Sequence, residues 1–240
     1  MARRNADSKS GSVERVAPIE RKLHFRPRKF KFSAKQQNLL EKILNPDVRI
    51  IWLSGPAGSS KTYMSIYGFL KYMEEDLEYN ILYVRSVAES ADKALGSLPG
   101  DISDKFDPFL IPLEDKLTEI LQPGDALELK RKQRVSAMPI NFMRGAHWEN
   151  MLVIADEAQN LTQKELTTLI TRLGPNSKLI ISGDFMQSDI NGKSGFKKLF
   201  DLFNDEESKD EGIDCVALTS EDIVRDPIIR FIVKKLEQLD

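Results

Sequence analysis

An α/β domain with a mostly parallel sheet and helices on both faces is the fold that this 240-residue sequence predicts. Three observations predict it. Short, continuous apolar runs recur along the chain, the pattern of strands buried on both faces. Segments of helical periodicity separate them, so strand and helix alternate. One strand-to-helix turn carries the glycine-containing loop Gly55-Pro56-Ala57-Gly58-Ser59-Ser60-Lys61-Thr62.

The composition bounds what such a domain can be. At 27.3 kDa with 41% hydrophobic residues, the chain can bury a core without covalent staples. Cys215 is the single cysteine, which excludes an internal disulfide framework and fits a reducing compartment. With two histidines, a zinc site is disfavoured. No run approaches the roughly 18 apolar residues of a membrane span, and no apolar segment follows the basic N-terminus. The expectation is a cytoplasmic protein with no membrane partner. The formal net charge is only -2, yet residues 1–35 hold eleven basic side chains against three acids.

In chain order, residues 1–32 lack sustained periodicity and read as a basic, disordered leader, or as an arm that follows a phosphate backbone. The domain is expected over 33–240. Ser33 is placed to cap a helix carrying Leu39, Leu40, Ile43 and Leu44, stopped by Asn45-Pro46. Strands are expected at Ile50–Leu53, Ile81–Val84, Met151–Ile154, Leu179–Ile181 and Cys215–Leu218. Helices are expected over Thr62–Leu77, Thr162–Leu173 and Phe196–Phe203. Residues 96–145, rich in proline, read as an insertion of short helices and a hairpin across one edge of the core. Residues 205–211 read as an exposed acidic loop, and no internal repeat is present.

The loop from Gly55 to Thr62 sits between a predicted strand and a predicted helix. Its backbone N–H groups and the helix dipole would converge on one point, where a polyphosphate can sit. In the pattern G-x-x-x-x-G-K-[ST], lysine neutralises the β- and γ-phosphates and the hydroxyl ligates Mg²⁺. Lys61 and Thr62 fill those places; Ser60 replaces the usual glycine, which puts rate and affinity in question. A purely structural turn is the competing reading.

Asp156 and Glu157 follow the strand at Met151–Ile154, where the ligand crevice of an open α/β sheet lies. Asp156 is expected to hold Mg²⁺, and Glu157 to orient and deprotonate the attacking water. Two acids in an ordinary surface turn would look the same in isolation. A third strand ends in Ser182-Gly183-Asp184-Phe185-Met186-Gln187, where Gln187 is either a γ-phosphate or water sensor or an ordinary loop residue.

The motifs in this order resemble the PhoH family of ATPases. The residues that carry the resemblance are the phosphate loop, Ala155 to Asn160, Ile170 to Gly174, Ser182 to Gln187, and the ending Glu221 to Pro227. Leu98 to Asp101 with Lys105, Asp107-Pro108, Pro112-Leu113 and Phe142 to Gly145 agree as well. The resemblance covers about Ser33 to Lys235. It implies a P-loop NTPase with a single RecA-like core, similar to the first core of superfamily-one helicases, that binds and hydrolyses ATP with Mg²⁺. Short family members occur in phage genomes, and this chain has the length of one. By resemblance, Gln36 matches the upstream glutamine that recognises adenine in related helicases. Gln159 and Gln187 match γ-phosphate sensors, and Arg172 and Arg225 match family arginines. Ala146-His147 departs from the family pattern, which puts substrate contacts near Arg144 in question.

Helicases of this type complete their site with an arginine from a second core. Such a group is worth about 10³ to 10⁵ in rate in nucleotide hydrolases. One core therefore predicts a head-to-tail homo-oligomer, a ring with a hexamer among the options, in which Arg172 or Arg225 serves a neighbour. Structural ion pairs are the alternative role for both arginines. Single-stranded RNA or DNA is the expected partner, contacted by the leader and by the basic run Lys130 to Arg134, although a solvated charge run explains that cluster equally. The leading function is a Mg²⁺-dependent ATPase that remodels or moves along single-stranded nucleic acid. The alternative is an ATP-gated binding or assembly protein that turns over slowly or not at all.

Overall fold

The computed structural model describes residues 22–28, 30–75, 78–86, 107–143, 147–188, 190, 192–224, 227–236 and 238. The expected motif residues at 98–105, Arg144-Gly145 and Arg225-Asp226 lie outside them, as do residues 1–21 of the leader. A six-stranded sheet forms the centre, built from β1 (Ile50–Ser54), β2 (Asn80–Arg85), β3 (Val135–Pro139), β4 (Met151–Asp156), β5 (Lys178–Gly183) and β6 (Ile213–Ala217). Their order across the sheet is β3-β2-β4-β5-β1-β6, and every pairing is parallel. All six strands therefore point their carboxyl ends at one edge.

Helix α1 (Ala34–Leu44) begins at Ser33 as expected. The Ser33 hydroxyl accepts from the Gln36 N–H, and the Gln36 side chain accepts from the Ser33 N–H, a capping box. Helix α2 (Lys61–Glu75) follows the phosphate loop, α5 (Gln163–Ile170) is capped reciprocally by Thr162 and Glu165, and α6 (Phe196–Leu202) precedes the acidic stretch. Strand residues alternate between two apolar layers. Ile51, Leu53, Ile81, Tyr83, Leu152 and Ile154 pack toward α1 and α2 on one side. Trp52, Leu82, Val84, Val153, Leu179 and Ile181 pack toward α5 and α6 on the other. Side chains on both faces of β1, β2, β4 and β5 are thus buried, as a doubly covered parallel sheet requires, while the edge strands β3 and β6 are only partly covered.

The region expected as an insertion with a hairpin is different. Helices α3 (Asp107–Ile120) and α4 (Pro123–Arg131) lead into β3, which pairs in parallel with β2 and extends the main sheet. Among the described residues, no hairpin forms there. Val-Ser-Ala-Met-Pro lacks a continuous apolar run, and its proline ends an edge strand, where a missing N–H is tolerated. Residues N-terminal to Ser33 also pack. Leu23 and Phe32 are buried, Phe25 bridges Leu121, and the Arg26 N–H donates to the Ile120 carbonyl at 2.8 Å. Apolar residues between the basic ones carry this contact, so the packed chain starts at least ten residues before the expected boundary.

The acidic stretch contains a short exposed helix, α7 (Glu206–Asp210), capped by Asp205. Helix α8 (Pro227–Leu236) was not expected. It buries none of its residues and leaves Ile228, Phe231, Ile232 and Leu236 exposed. Among the described residues, no helix is long and apolar enough to cross a membrane.

Candidate functional site

The phosphate loop hangs between the end of β1 and the first turn of α2. Its path depends on two left-handed residues, Gly58 (φ +84°) and Ser60 (φ +66°). Gly55 must also be glycine, because a Cβ there would stand 2.8 Å from the Leu218 Cβ and 2.9 Å from the Ser59 Oγ. Ser59 is wholly buried, and its hydroxyl donates to the Pro56 carbonyl at 2.8 Å, so it braces the loop from within. The Lys61 ammonium donates to the carbonyls of Gly55 (2.6 Å) and Pro56 (3.2 Å), which folds its charge over the loop mouth.

Asp156 ends β4 and is only 3% exposed. A buried carboxylate needs strong hydrogen bonds, and three hydroxyls supply them. Thr62 Oγ1 donates to Oδ2 at 2.9 Å, Tyr83 Oη to the same oxygen at 2.6 Å, and Ser182 Oγ to Oδ1 at 2.9 Å. Burial, followed by the Asp156 charge, holds the Tyr83 phenol far above its ordinary range, so it remains a donor. Thr62 and Asp156, the two expected ligands, are thus side by side. Their hard oxygens suit Mg²⁺, which takes one or two protein ligands and completes its shell with water and phosphate oxygens. Among the described residues, no group of three or more His, Cys, Asp or Glu side chains is poised to hold a metal by itself.

Glu157 follows in a left-handed conformation (φ +53°). Its carboxylate accepts from Gln159 Nε2 at 2.6 Å and lies 3.8 Å from the Arg85 guanidinium. The buried Gln159 side chain also accepts from the Asp184 N–H at 3.0 Å. The amide expected as a phosphate sensor therefore bridges the proposed base to the end of β5. Gly183 precedes Asp184, and a Cβ there would meet the Phe196 ring at 2.7 Å. The ring closes the space behind the loop, so this position too is restricted to glycine.

These elements enclose one cavity of about 360 Å³, within the range of ligand pockets. Lys61, Thr62 and Ser60 line it on the loop side, and Glu157, Asp184 and Gln187 on the other. The structure thus brings together residues of all three expected motifs. Arg172 is not among them. It follows α5, and its carbonyl accepts from the Trp148 N–H near the starts of β4 and β5, at the opposite edge of the sheet. Arg225 lies outside the described residues; its neighbour Val224 lines the cavity. The basic run is also not a free strip. Arg134 is buried and donates to the Tyr79 carbonyl, while Lys130 and Lys132 pair with Glu114 and Glu128. Trp148 belongs to the core.

Reasoning from sequence missed Tyr83 and Arg85. Tyr83 interrupts an otherwise aliphatic run, and a phenol in a strand buried on both faces must find a partner. That requirement was its readable signal.

A profile described as PhoH-like protein matches residues 30–237. This chain belongs to the PhoH family. It is 34% identical over 206 residues to a PhoH-like protein of Synechocystis, covering 85% of this chain and 61% of that protein. A PhoH-like protein of Bacillus subtilis is 33% identical over 77% of this chain and 57% of its own length. For the protein PhoH of Escherichia coli the values are 34%, 74% and 50%. The chain therefore spans roughly half to three fifths of these relatives. Among solved structures, the large terminase of a thermophilic bacteriophage superposes with a TM-score of 0.51 at 12% identity, over 87% of this chain and 50% of that one. The family member thus has the fold of a P-loop NTPase.

Proposed function

We propose that this protein binds ATP with Mg²⁺ at the cavity and hydrolyses it, coupling turnover to remodelling of single-stranded RNA or DNA. The observation that carries the chemistry is the meeting of Thr62 and Asp156 at 2.9 Å beside Lys61 and Glu157. On this reading the phosphates lie along the loop N–H groups and Lys61, where the lysine swings from the Gly55 and Pro56 carbonyls to the anion. Bound Mg²⁺ supplies charge neutralisation at the phosphates. Thr62 and Asp156 hold it, with Asp156 kept in place by Tyr83 and Ser182. Glu157, steered by Gln159, orients and deprotonates the attacking water. Gln187 stands exposed at the rim, placed to contact the terminal phosphate or the water.

The likeness to helicases that complete their site with an arginine from a second core supports a head-to-tail oligomer in which a neighbour's arginine, Arg172 or Arg225, meets the developing charge. The nucleic-acid partner is supported by family membership and by the basic composition before residue 36.

Steady-state ATPase rates, measured against protein concentration with and without single-stranded RNA or DNA, test the proposal. Lys61→Ala and Glu157→Gln are each expected to abolish turnover, the second while retaining ATP. Unchanged rates in both variants would remove the site assignment. Tight ATP binding without turnover in the unaltered protein would instead favour a nucleotide-gated binding protein, the reading that the Ser60 replacement supports.

A further inference from the structure

The side chain expected to read adenine is fully occupied within the fold. Gln36 is completely buried. Its Oε1 accepts from the Ser33 N–H at 3.0 Å, and its Nε2 donates to the carbonyls of Ser59 (3.1 Å) and Asp222 (3.0 Å). A primary amide has two N–H donors, and both are engaged. Contact with a base edge would break the tie between α1, the phosphate loop and the turn at Ser220–Asp222.

What the cavity offers a base is an aromatic wall. Phe30 and Tyr63 both line it, with ring centroids 5.1 Å apart at 59°. Tyr63 is backed by Tyr67, stacked at 5.9 Å and 11°, and Phe32 packs against Phe30 at 5.8 Å. Phe30 is only partly buried and keeps accessible surface. Two other lining side chains, Lys116 and Glu119, bond to each other at 2.7 Å. Tyr63 directly follows Thr62, so a triphosphate seated on the loop leads its nucleoside toward this wall.

We infer that the nucleobase is held by stacking on Phe30 at this wall, and not by hydrogen bonds from Gln36, so that the site accepts purine nucleoside triphosphates with little discrimination between adenine and guanine. Every base presents a π face, and stacking is correspondingly tolerant of base identity. Large discrimination arises instead where buried polar groups must pair with a particular base edge. The inference rests on the reading of the cavity as a nucleoside triphosphate site.

Equilibrium binding of ATP, GTP, CTP and base-free tripolyphosphate, each with Mg²⁺, tests it on the full chain. The expected result is ATP and GTP affinities within about threefold of each other, with CTP weaker. Phe30→Leu keeps apolar bulk without a π face. It should weaken ATP and GTP by about tenfold, the loss typical of one stacked base, and leave tripolyphosphate unchanged. Phe30→Trp should restore purine binding. ATP bound more than tenfold tighter than GTP by the unaltered protein would overturn the inference, as would a Phe30→Leu loss that tripolyphosphate shares equally. If tripolyphosphate binds but no base adds affinity, stacking fails while the phosphate site stands. If neither tripolyphosphate nor any nucleotide binds, the site reading itself falls.

Discussion

Replacing Ser60 by glycine should stabilise the protein, an unusual direction for a substitution in a ligand loop. Ser60 holds φ at +66°, a region that costs a residue with a Cβ about 1–2 kcal/mol. Glycine relieves that cost but loses about 0.4–1 kcal/mol through the greater freedom of the unfolded chain. The contact Ser60 makes to α2 is through its backbone, the carbonyl accepting from the Met64 N–H at 2.8 Å, and it survives the change. The net gain is about 0.5–1 kcal/mol, or roughly 2–3 °C in melting temperature for a chain of this size. Urea and thermal melts without nucleotide measure it directly. Tripolyphosphate affinity should be equal or higher in the variant, since removing the Cβ lets the anion approach the backbone. A loss of more than about 0.5 kcal/mol would show that the serine side chain makes a contact that outweighs its strain, and would refute the argument.

Tyr83→Phe removes a buried hydrogen bond to a carboxylate, which is worth about 1.5–3 kcal/mol; with Thr62 and Ser182 still on Asp156, a loss near 2 kcal/mol in urea unfolding is expected. An unchanged midpoint would mean that the phenol is not anchoring Asp156. Gly183→Ala drives a methyl against the Phe196 ring and should cost about 1–3 kcal/mol while displacing Asp184, read as a lower urea midpoint and weaker nucleotide binding; wild-type behaviour in both would show the ring is free to move. Lys178 is buried over the Tyr72 ring, and burial lowers its ammonium to about 8. Because the unfolded chain holds that proton more tightly, this group makes stability rise from about pH 8 to about pH 10.5. The melting-temperature difference between the unaltered protein and Lys178→Met should therefore shift in favour of lysine across that window, and a constant difference would contradict the shift.

Four strands could be read from the sequence because doubly buried parallel strands leave uninterrupted apolar runs, as Ile81-Leu82-Tyr83-Val84 does, and the edge strand β6 could be read only from Cys215 onward. β3 could not, since an edge strand of Val-Ser-Ala-Met-Pro needs neither a run nor an alternation. The same limit hid the packing of residues 22–32, where Leu23, Phe25, Phe30 and Phe32 are scattered among arginines and lysines. At the site, Lys61, Thr62, Asp156 and Glu157 were legible because metal and phosphate chemistry restricts residue type and spacing. Gln36 and Gln159 were found as residues but not for what they touch. An amide suits a ligand and a backbone carbonyl equally, and only coordinates separate the two. The Lys130–Arg134 run misled for a related reason: charge on a string does not reveal that Arg134 turns inward to the Tyr79 carbonyl.

A sheet with one polarity divides the molecule's tolerances along a single axis. Loops that leave strand carboxyl ends, after Ser54, Asp156 and Gly183, all border the cavity. Segments that enter the strands hold Arg49 against Gly174 and Ser177, and Lys178 against Asn45, with no contact to it. Substitutions at the entry side should alter melting with little effect on ligand affinity, and those at the exit side should alter affinity first. A saturation scan scored for both properties would separate into two bands across the sheet. The boundary would fall within about five or six residues, the length of one strand.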